Sequence, residues 1–276
     1  MQHNILIILT LILSFTCLMT DTSQAGEAED LAALAQNPVA NAISLPLQNN
    51  TMFNIGPDQD TANLLNIQPV IPLDLTENWN LITRTIVPVL YVEDLSDGQT
   101  TTGIGDGNTW GLGDINFTGY ISPAKPGKVI WGVGPSLSVP SATDDLLGSR
   151  KWSGGLGAVA LAMPKPWTLG VLVRQLWSFA GDSDRSSVSQ FLAQPFINYN
   201  MSDGWYLVSA PVITSNWKAN SDDRWVVPLG GGVGKLFSIG SQALNLQISA
   251  YYNVVKPDLG PEWSTRLQLQ FLFPTN

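Results

Sequence analysis

The feature that most restricts this chain is a period of two. In the last predicted strand Arg266, Gln268 and Gln270 fall on one face, and Leu267, Leu269, Phe271 and Phe273 on the other. The strand before it sets Asn245, Gln247, Ser249 and Asn253 against Leu244, Leu246, Ile248, Ala250 and Val254. A third sets Gln190, Gln194 and Asn198 against Phe191, Ala193, Ile197 and Tyr199. Successive strand residues point to opposite faces, so each segment carries one polar and one apolar wall. Segments of this kind, separated by Gly, Asp, Asn, Ser and Pro clusters, recur from Leu45 onward. That is the pattern of a membrane-spanning β-barrel.

Composition decides which wall faces out. The 276 residues are 44% hydrophobic and only 13% charged. The longest apolar run, Ile5 to Met19, is shorter than the roughly 20 residues of a spanning helix. The apolar content is therefore spread over short strands, and lipid admits strands only as closed barrels whose backbone groups are all paired. The polar faces carry Gln, Asn and Ser rather than the Lys and Glu of a solvated surface, which favours apolar residues out and polar residues in. Trp79, Trp110, Trp152, Trp167, Trp177, Trp205, Trp217, Trp225 and Trp263 stand at predicted strand ends, as in interfacial aromatic girdles, whereas Trp131 reads as mid-strand.

The predicted fold is all-β: a transmembrane antiparallel barrel of about 12 strands with a short N-terminal helical segment. The predicted strands are 51–56, 64–75, 79–91, 110–122, 129–140, 150–163, 167–180, 188–200, 205–217, 224–237, 243–255 and 263–273. Short connections after 75, 123, 163, 200 and 238 alternate with longer ones such as 93–109 and the acidic 141–149, the asymmetry of periplasmic turns and outer loops. In-strand prolines (Pro69, Pro88, Pro135, Pro195, Pro211, Pro228) each remove a ladder donor and call for bulges. Gly230-Gly231-Gly232-Val233-Gly234 predicts a bent strand or one that something packs against; no Lys-Ser/Thr or helix follows to make it a phosphate loop.

The N-terminus reads differently. Residues 1–25 have the h-region and the Ser23-Gln24-Ala25 cleavage site of a secretory signal peptide, although no Lys or Arg precedes the apolar run. Residues 26–44 form a periplasmic segment, a candidate plug helix over Glu27 to Ala35 ended by Asn37-Pro38, and 45–276 form the barrel. Cleavage after Ala25 removes the single Cys (Cys17) and the single His (His3). The mature chain then has no disulfide, no Cys/His zinc site and no His-based catalytic triad. No catalytic, cofactor-binding or metal-binding residues are predicted, and the chain does not read as an enzyme.

Formal net charge is −9, with no basic footprint for nucleic acid. Acidic residues cluster in predicted loops (Asp182 and Asp184, Asp222 and Asp223), where they read as solvated charge or as cation bridges to lipid headgroups. Few charges lie inside strands. An Arg or Lys facing mid-bilayer lipid costs about 2–4 kcal/mol, so Arg84, Arg174 and Arg266 are expected to face the lumen, with Arg84, Arg174 and Asp114 as candidates for an ion-pair cluster or selectivity ring. Lys235 shares the parity of the lipid face near a strand end, where it can snorkel. The candidate lumen-lining residues are Arg84, Asp114, Arg174, Gln190, Gln194, Asn198, Asn245, Gln247, Arg266, Gln268 and Gln270.

Several stretches resemble one family. Gln36-Asn37-Pro38-Val39-Ala40, Ile43 to Asn50, Phe53-Asn54-Ile55-Gly56-Pro57, Trp177-Ser178-Phe179-Ala180-Gly181, Gln194 to Asn200, Val227 to Lys235, Ala250 to Val254 and Gln270 to Pro274 are similar to Gram-negative outer-membrane proteins often labelled "neuromedin U", a name borrowed from an unrelated animal peptide. These in turn resemble proteins labelled as transporters of the phenol-degradation meta-pathway. The resemblance implies a cell outer membrane location and a barrel, and supplies no binding residues.

The expected partners are outer-membrane lipid, the barrel-insertion machinery (which reads C-terminal aromatics such as Phe271 and Phe273, here followed by Pro274-Thr275-Asn276) and an unknown small solute. The polar lumen predicts a passive channel or transporter for small molecules, hydrophobic or aromatic ones included. The alternative is a closed barrel that stabilises the envelope or presents its loops.

Overall fold

The computed structural model describes residues 31–93 and 108–274. Residues 1–30, which hold the predicted signal peptide and the start of the helical segment, lie outside the described residues, as does 94–107. Twelve antiparallel strands form one closed up-and-down barrel. They are β1 (Ala42–Ile55), β2 (Asp60–Ile67 and Val70–Thr76), β3 (Trp79–Val92), β4 (Thr109–Leu112 and Ile115–Pro123), β5 (Val129–Val139) and β6 (Lys151–Ala162). The second half comprises β7 (Trp167–Gly181), β8 (Ser189–Asn200), β9 (Trp205–Ser209 and Ile213–Asn216), β10 (Trp225–Ile239), β11 (Gln242–Val255) and β12 (Trp263–Pro274). Each strand pairs with its sequence neighbours, and β1 closes on β12 from Ala42↔Pro274 to Phe53↔Trp263. Closure leaves no unpaired sheet edge.

Apart from β1 and the start of β2, the predicted strand ends fall within two residues of the observed ones. The exception is instructive. β1 begins at Ala42 rather than at residue 51, and the segment before the barrel ends at 41 rather than 44. Gln48-Asn49-Asn50-Thr51 has no apolar alternation to reveal a strand. In the barrel these amides are paired: Asn49 and Asn63 exchange hydrogen bonds at 2.8 and 3.0 Å across the β1–β2 pair, and Asn63 also donates to Thr51 Oγ1 at 2.9 Å.

The prolines fall where the ladder is relaxed. Pro69 lies in the break within β2, Pro211 in the break within β9, and Pro228 at the bulge between β10 and β11. The β9 break keeps register: Ala193↔Ile213 and Ile197↔Ser209 belong to one alignment. At Gly113-Asp114 it does not. Ile86↔Asn116 and Val89↔Leu112 leave one extra residue on β4, a bulge that reverses the alternation there. Gly234 faces the lumen because Tyr206 packs on it; a Cβ at that position would collide with the Tyr206 ring.

The outer wall is apolar. Ile121, Val133, Val171, Ile197, Leu207, Leu229, Ile248 and Leu267, one each from eight strands, are all exposed. Aromatics ring both ends of this belt. At the short-turn end, where β1 begins and β12 ends, stand Trp79, Trp131, Trp167 and Trp205. Trp131 is thus not mid-strand: it sits two residues from the start of β5, edge-on to Trp79 at 6.0 Å. Lys235 Nζ lies 4.8 Å above the Trp205 ring, on the outer wall at the same end. At the loop end Trp263 stacks on Phe53 at 4.1 Å, and Trp217 meets Trp225 edge-on at 5.3 Å.

Candidate functional site: the barrel lumen

Inward positions of the strands carry Gln, Asn, Ser, Tyr and Arg. On β11, Asn245, Gln247, Ser249, Tyr251 and Asn253 are buried while Leu246, Ile248, Ala250, Tyr252 and Val254 are exposed, the predicted alternation. A buried amide is tolerable only if hydrogen-bonded. Tyr206 Oη donates to Asn245 Oδ1 at 2.7 Å, and Asn245 Nδ2 donates to Gln270 Oε1 at 3.1 Å, which ties β9, β11 and β12 together. Gln247 Nε2 donates to Ser249 Oγ at 3.0 Å.

Three arginines reach the lumen from three strands. Arg84 on β3 donates to Gln68 Oε1 at 2.5 Å, and Arg174 on β7 donates to Asn116 Oδ1 at 3.0 Å. Arg266 on β12 is 7% exposed; it donates to Asn50 Oδ1 and to the Ala210 carbonyl, both at 3.0 Å, and its guanidinium lies 5.1 Å from the Tyr251 ring centre. The Ala210 contact replaces ladder pairing lost at the β9 break, where Gln194 Nε2 also donates to that carbonyl at 3.5 Å and Tyr251 Oη accepts from Ala210 N at 3.2 Å. Each of these guanidinium hydrogen bonds goes to a neutral acceptor.

Asp114 is not in this cluster. Alternation would turn it inward, but the bulge at Gly113-Asp114 displaces it. Its Oδ2 accepts from both the backbone N–H and the hydroxyl of Ser149 at 2.7 Å, and Oδ1 accepts from Ala142 N at 3.4 Å. The carboxylate thus anchors loop 140–150, which lies against the first segment of β4 through Thr143 and the buried Leu147. Arg185 donates to the carbonyls of Asp145 and Gly148, and Arg150 pairs with Asp145 and Asp182. Gln190 shares the inward face of β8 but stands exposed at its loop end.

The N-terminal segment enters the barrel from the short-turn end. Residues 31–35 are helical and end ahead of Asn37-Pro38, as expected. Leu31, Ala32, Gln36, Val39 and Ala40 are buried. Leu31, Ala32 and Val39 join an apolar layer that includes Ile82, Tyr120, Leu161, Phe196, Leu236 and Leu272. Gln36 Nε2 donates to Asn200 Oδ1 at 2.8 Å, where β8 ends.

Above this segment two cavities adjoin. The larger, about 150 Å³, is lined by the N-terminal segment and by Arg84, Gln194, Asn198, Tyr206, Asn245, Gln247, Arg266, Gln268 and Gln270. The smaller, about 110 Å³, is lined by Arg84, Arg174, Asn116, Tyr120, Leu192 and Val212 among others. Gln48, Gln68, Arg84, Leu172 and Gln194 line both. The structure places nine of the eleven candidates on these walls, together with Gln48, Gln68, Asn116, Tyr120 and Tyr206, which sequence reasoning missed; it also missed Asn50, the acceptor for Arg266. Among the described residues no Asp or Glu lines either cavity, and no group of three or more His, Cys, Asp or Glu is disposed to hold a metal ion.

A solved structure, that of the COG4313 outer membrane channel from Pseudomonas putida F1, superimposes with a TM-score of 0.63 over 85% of this chain and 96% of that one, at 17% identity. With the apolar belt and two aromatic girdles, this decides the setting. The chain is a bacterial outer-membrane β-barrel. Looser likenesses include a monoaromatic hydrocarbon channel, CymD (TM-score 0.45, 8% identity, 89% and 93% coverage), and a Pseudomonas aeruginosa FadL homologue (TM-score 0.42, 10% identity, 88% and 93% coverage). The barrel matches no protein-family model and no curated protein. The short turns lie at the end where β1 begins and β12 ends, and loop 140–150 lies at the opposite end.

Proposed function

We propose that the barrel is a passive channel for small solutes, exported with loss of residues 1–25 and gated by residues 31–41 as a periplasmic plug. The observation that carries this reading is the adjoining pair of lumen cavities walled by amide and guanidinium groups, directly above the N-terminal segment. A barrel built to be only structural gains by filling its lumen with packed side chains; this one leaves polar space. Apolar side chains in the same walls (Leu172, Leu192, Phe196, Val208, Val212) suit solutes with an apolar or aromatic body. The fold is shared with a protein described as an outer membrane channel, which accords with the reading. Phe271 and Phe273, on the outer wall of the last strand, are the proposed signal for the insertion machinery.

The seating of Leu31, Ala32 and Val39 in the apolar layer favours a second reading, a closed barrel that stabilises the envelope. Single-channel conductance in a planar bilayer separates the two. Residues 26–276 are compared with a chain lacking 26–41. Steps that appear or enlarge on deletion are expected; silence from both, with folded and inserted protein, would sink the channel reading.

A further inference from the structure

We propose that the cavity between Arg84 and Arg174 is a binding site for a small monocarboxylate, with the carboxylate on the guanidiniums and the apolar body against Leu172, Leu192 and Val212. This rests on the reading of the lumen as solute-accessible and names the solute class. The first observation is a reversal of charge. The chain as a whole carries −9, yet among the described residues the charged ones lining the two cavities are Arg84, Arg174 and Arg266. The carboxylate expected to neutralise the pair, Asp114, is spent on Ser149 and Ala142. Arg84 and Arg174 instead meet the amide oxygens of Gln68 and Asn116, which orient the guanidiniums without cancelling their charge. A cation withdrawn from bulk water and given only neutral partners favours an anion beside it.

The second observation is shape. Guanidinium is a rigid planar donor array that matches a carboxylate through paired hydrogen bonds, and two strands present two of them to one space. Thr118 and Tyr120 add polar groups to the lining of that space, and Ile86, Leu172, Leu192 and Val212 add apolar surface. A hydrated inorganic ion has no use for the apolar surface. The volume, about 110 Å³, is below the roughly 150 Å³ of a cavity that admits benzene, so a chain of about four carbons fits.

The test uses the full-length protein purified from outer membranes, with butyrate and its neutral counterpart butyramide as probes at low ionic strength. Calorimetric titration of the unaltered protein is expected to show saturable butyrate binding and butyramide at least tenfold weaker, a comparison that needs no variant. Arg84→Gln with Arg174→Gln is expected to weaken butyrate at least tenfold, while Lys256→Gln in an outer loop leaves it unchanged. In bilayers under a tenfold KCl gradient, the reversal potential is expected to show preference for chloride, lost in the double variant. Equal binding of both probes, or no butyrate binding, overturns the assignment even if the barrel conducts. Butyrate binding by a barrel that does not conduct upholds the site and overturns the channel.

Discussion

Gly234 offers the most direct test of the lumen packing. A Cβ at this position would lie inside contact distance of Cζ, Oη and Cε1 of Tyr206, whose ring is 1% exposed. Two effects oppose each other in Gly234→Ala. Alanine is favoured over glycine in a strand by about 0.5–1 kcal/mol, since its unfolded chain has less freedom to lose. Against this, overpacking costs about 1–3 kcal/mol. If the ring moves aside, Tyr206 Oη also loses Asn245 Oδ1, and a buried acceptor left unpaired costs about 1–3 kcal/mol more. The net expectation is a loss of about 1–5 kcal/mol. Tyr206→Phe removes the hydrogen bond without the clash and is expected to cost about 1–3 kcal/mol. Tyr206→Ala is damaging alone, but combined with Gly234→Ala it is expected to add almost nothing further for the glycine change, because the atom that clashed is gone. The assay is urea unfolding of the barrel in lipid vesicles, followed by tryptophan fluorescence. A Gly234→Ala barrel as stable as its parent, or strict additivity in the cycle with Tyr206, would refute the reasoning.

Three further outcomes follow from other parts of the structure. Asp114→Ala removes three acceptor contacts from Ser149 and Ala142; loop 140–150 is expected to become cleavable by external protease while the barrel stays folded, and continued resistance would count against the anchor. Gln36→Ala removes the tie to Asn200, worth about 1–1.5 kcal/mol, so plug displacement and channel opening are expected to rise about tenfold in single-channel records. The Asp182 carboxyl is held below the ordinary carboxylate range by the backbone N–H of Asp184 and by Arg150. A depressed folded value gives stability that is present above the unfolded value and is lost as pH falls through the folded one. Hydrogen exchange in 140–150 and 182–188 is therefore expected to show, after correction for intrinsic rates, the same protection at pH 7 and pH 5, with release only at more acidic pH.

What was legible in the sequence follows from what kind of information a strand carries. Wherever Gln, Asn or Ser alternates with Leu, Ile or Phe, as on β11 and β12, the period of two fixes both the element and its faces, since a one-residue slip would turn every amide into lipid. Trp79, Trp167, Trp205 and the snorkelling Lys235 were legible for the same reason, that the membrane boundary selects residue types at fixed depth, whereas Trp131, two residues inside its strand, was not. The failures share a cause of the opposite kind. β1 was hidden because Asn49 sits on the outer wall with a polar neighbour on each side in the chain, and what makes that tolerable is Asn63, on another strand. Asp114 was misplaced because a single extra residue in β4, visible only in the pairing with β3, reverses the parity that sequence reasoning depends on.

The arginines sharpen the point. Their inward orientation could be argued from the cost of charge in lipid, a local property of each residue. Whether the lumen they enter is neutral or positive could not, because it turns on where one carboxylate goes. With Asp114 inside, Arg84 and Arg174 would form a closed ion-pair network that fills the barrel. With Asp114 holding Ser149 instead, the same guanidiniums remain uncancelled around open space. A bulge of one residue thus separates a structural network from a site that can receive an anion. Moving the bulge, by deleting Gly113 so that Asp114 regains inward parity, is expected to abolish butyrate binding while leaving both arginines in place. Retained binding in that deletion, from a folded barrel, would show that the charge balance of the lumen is set elsewhere.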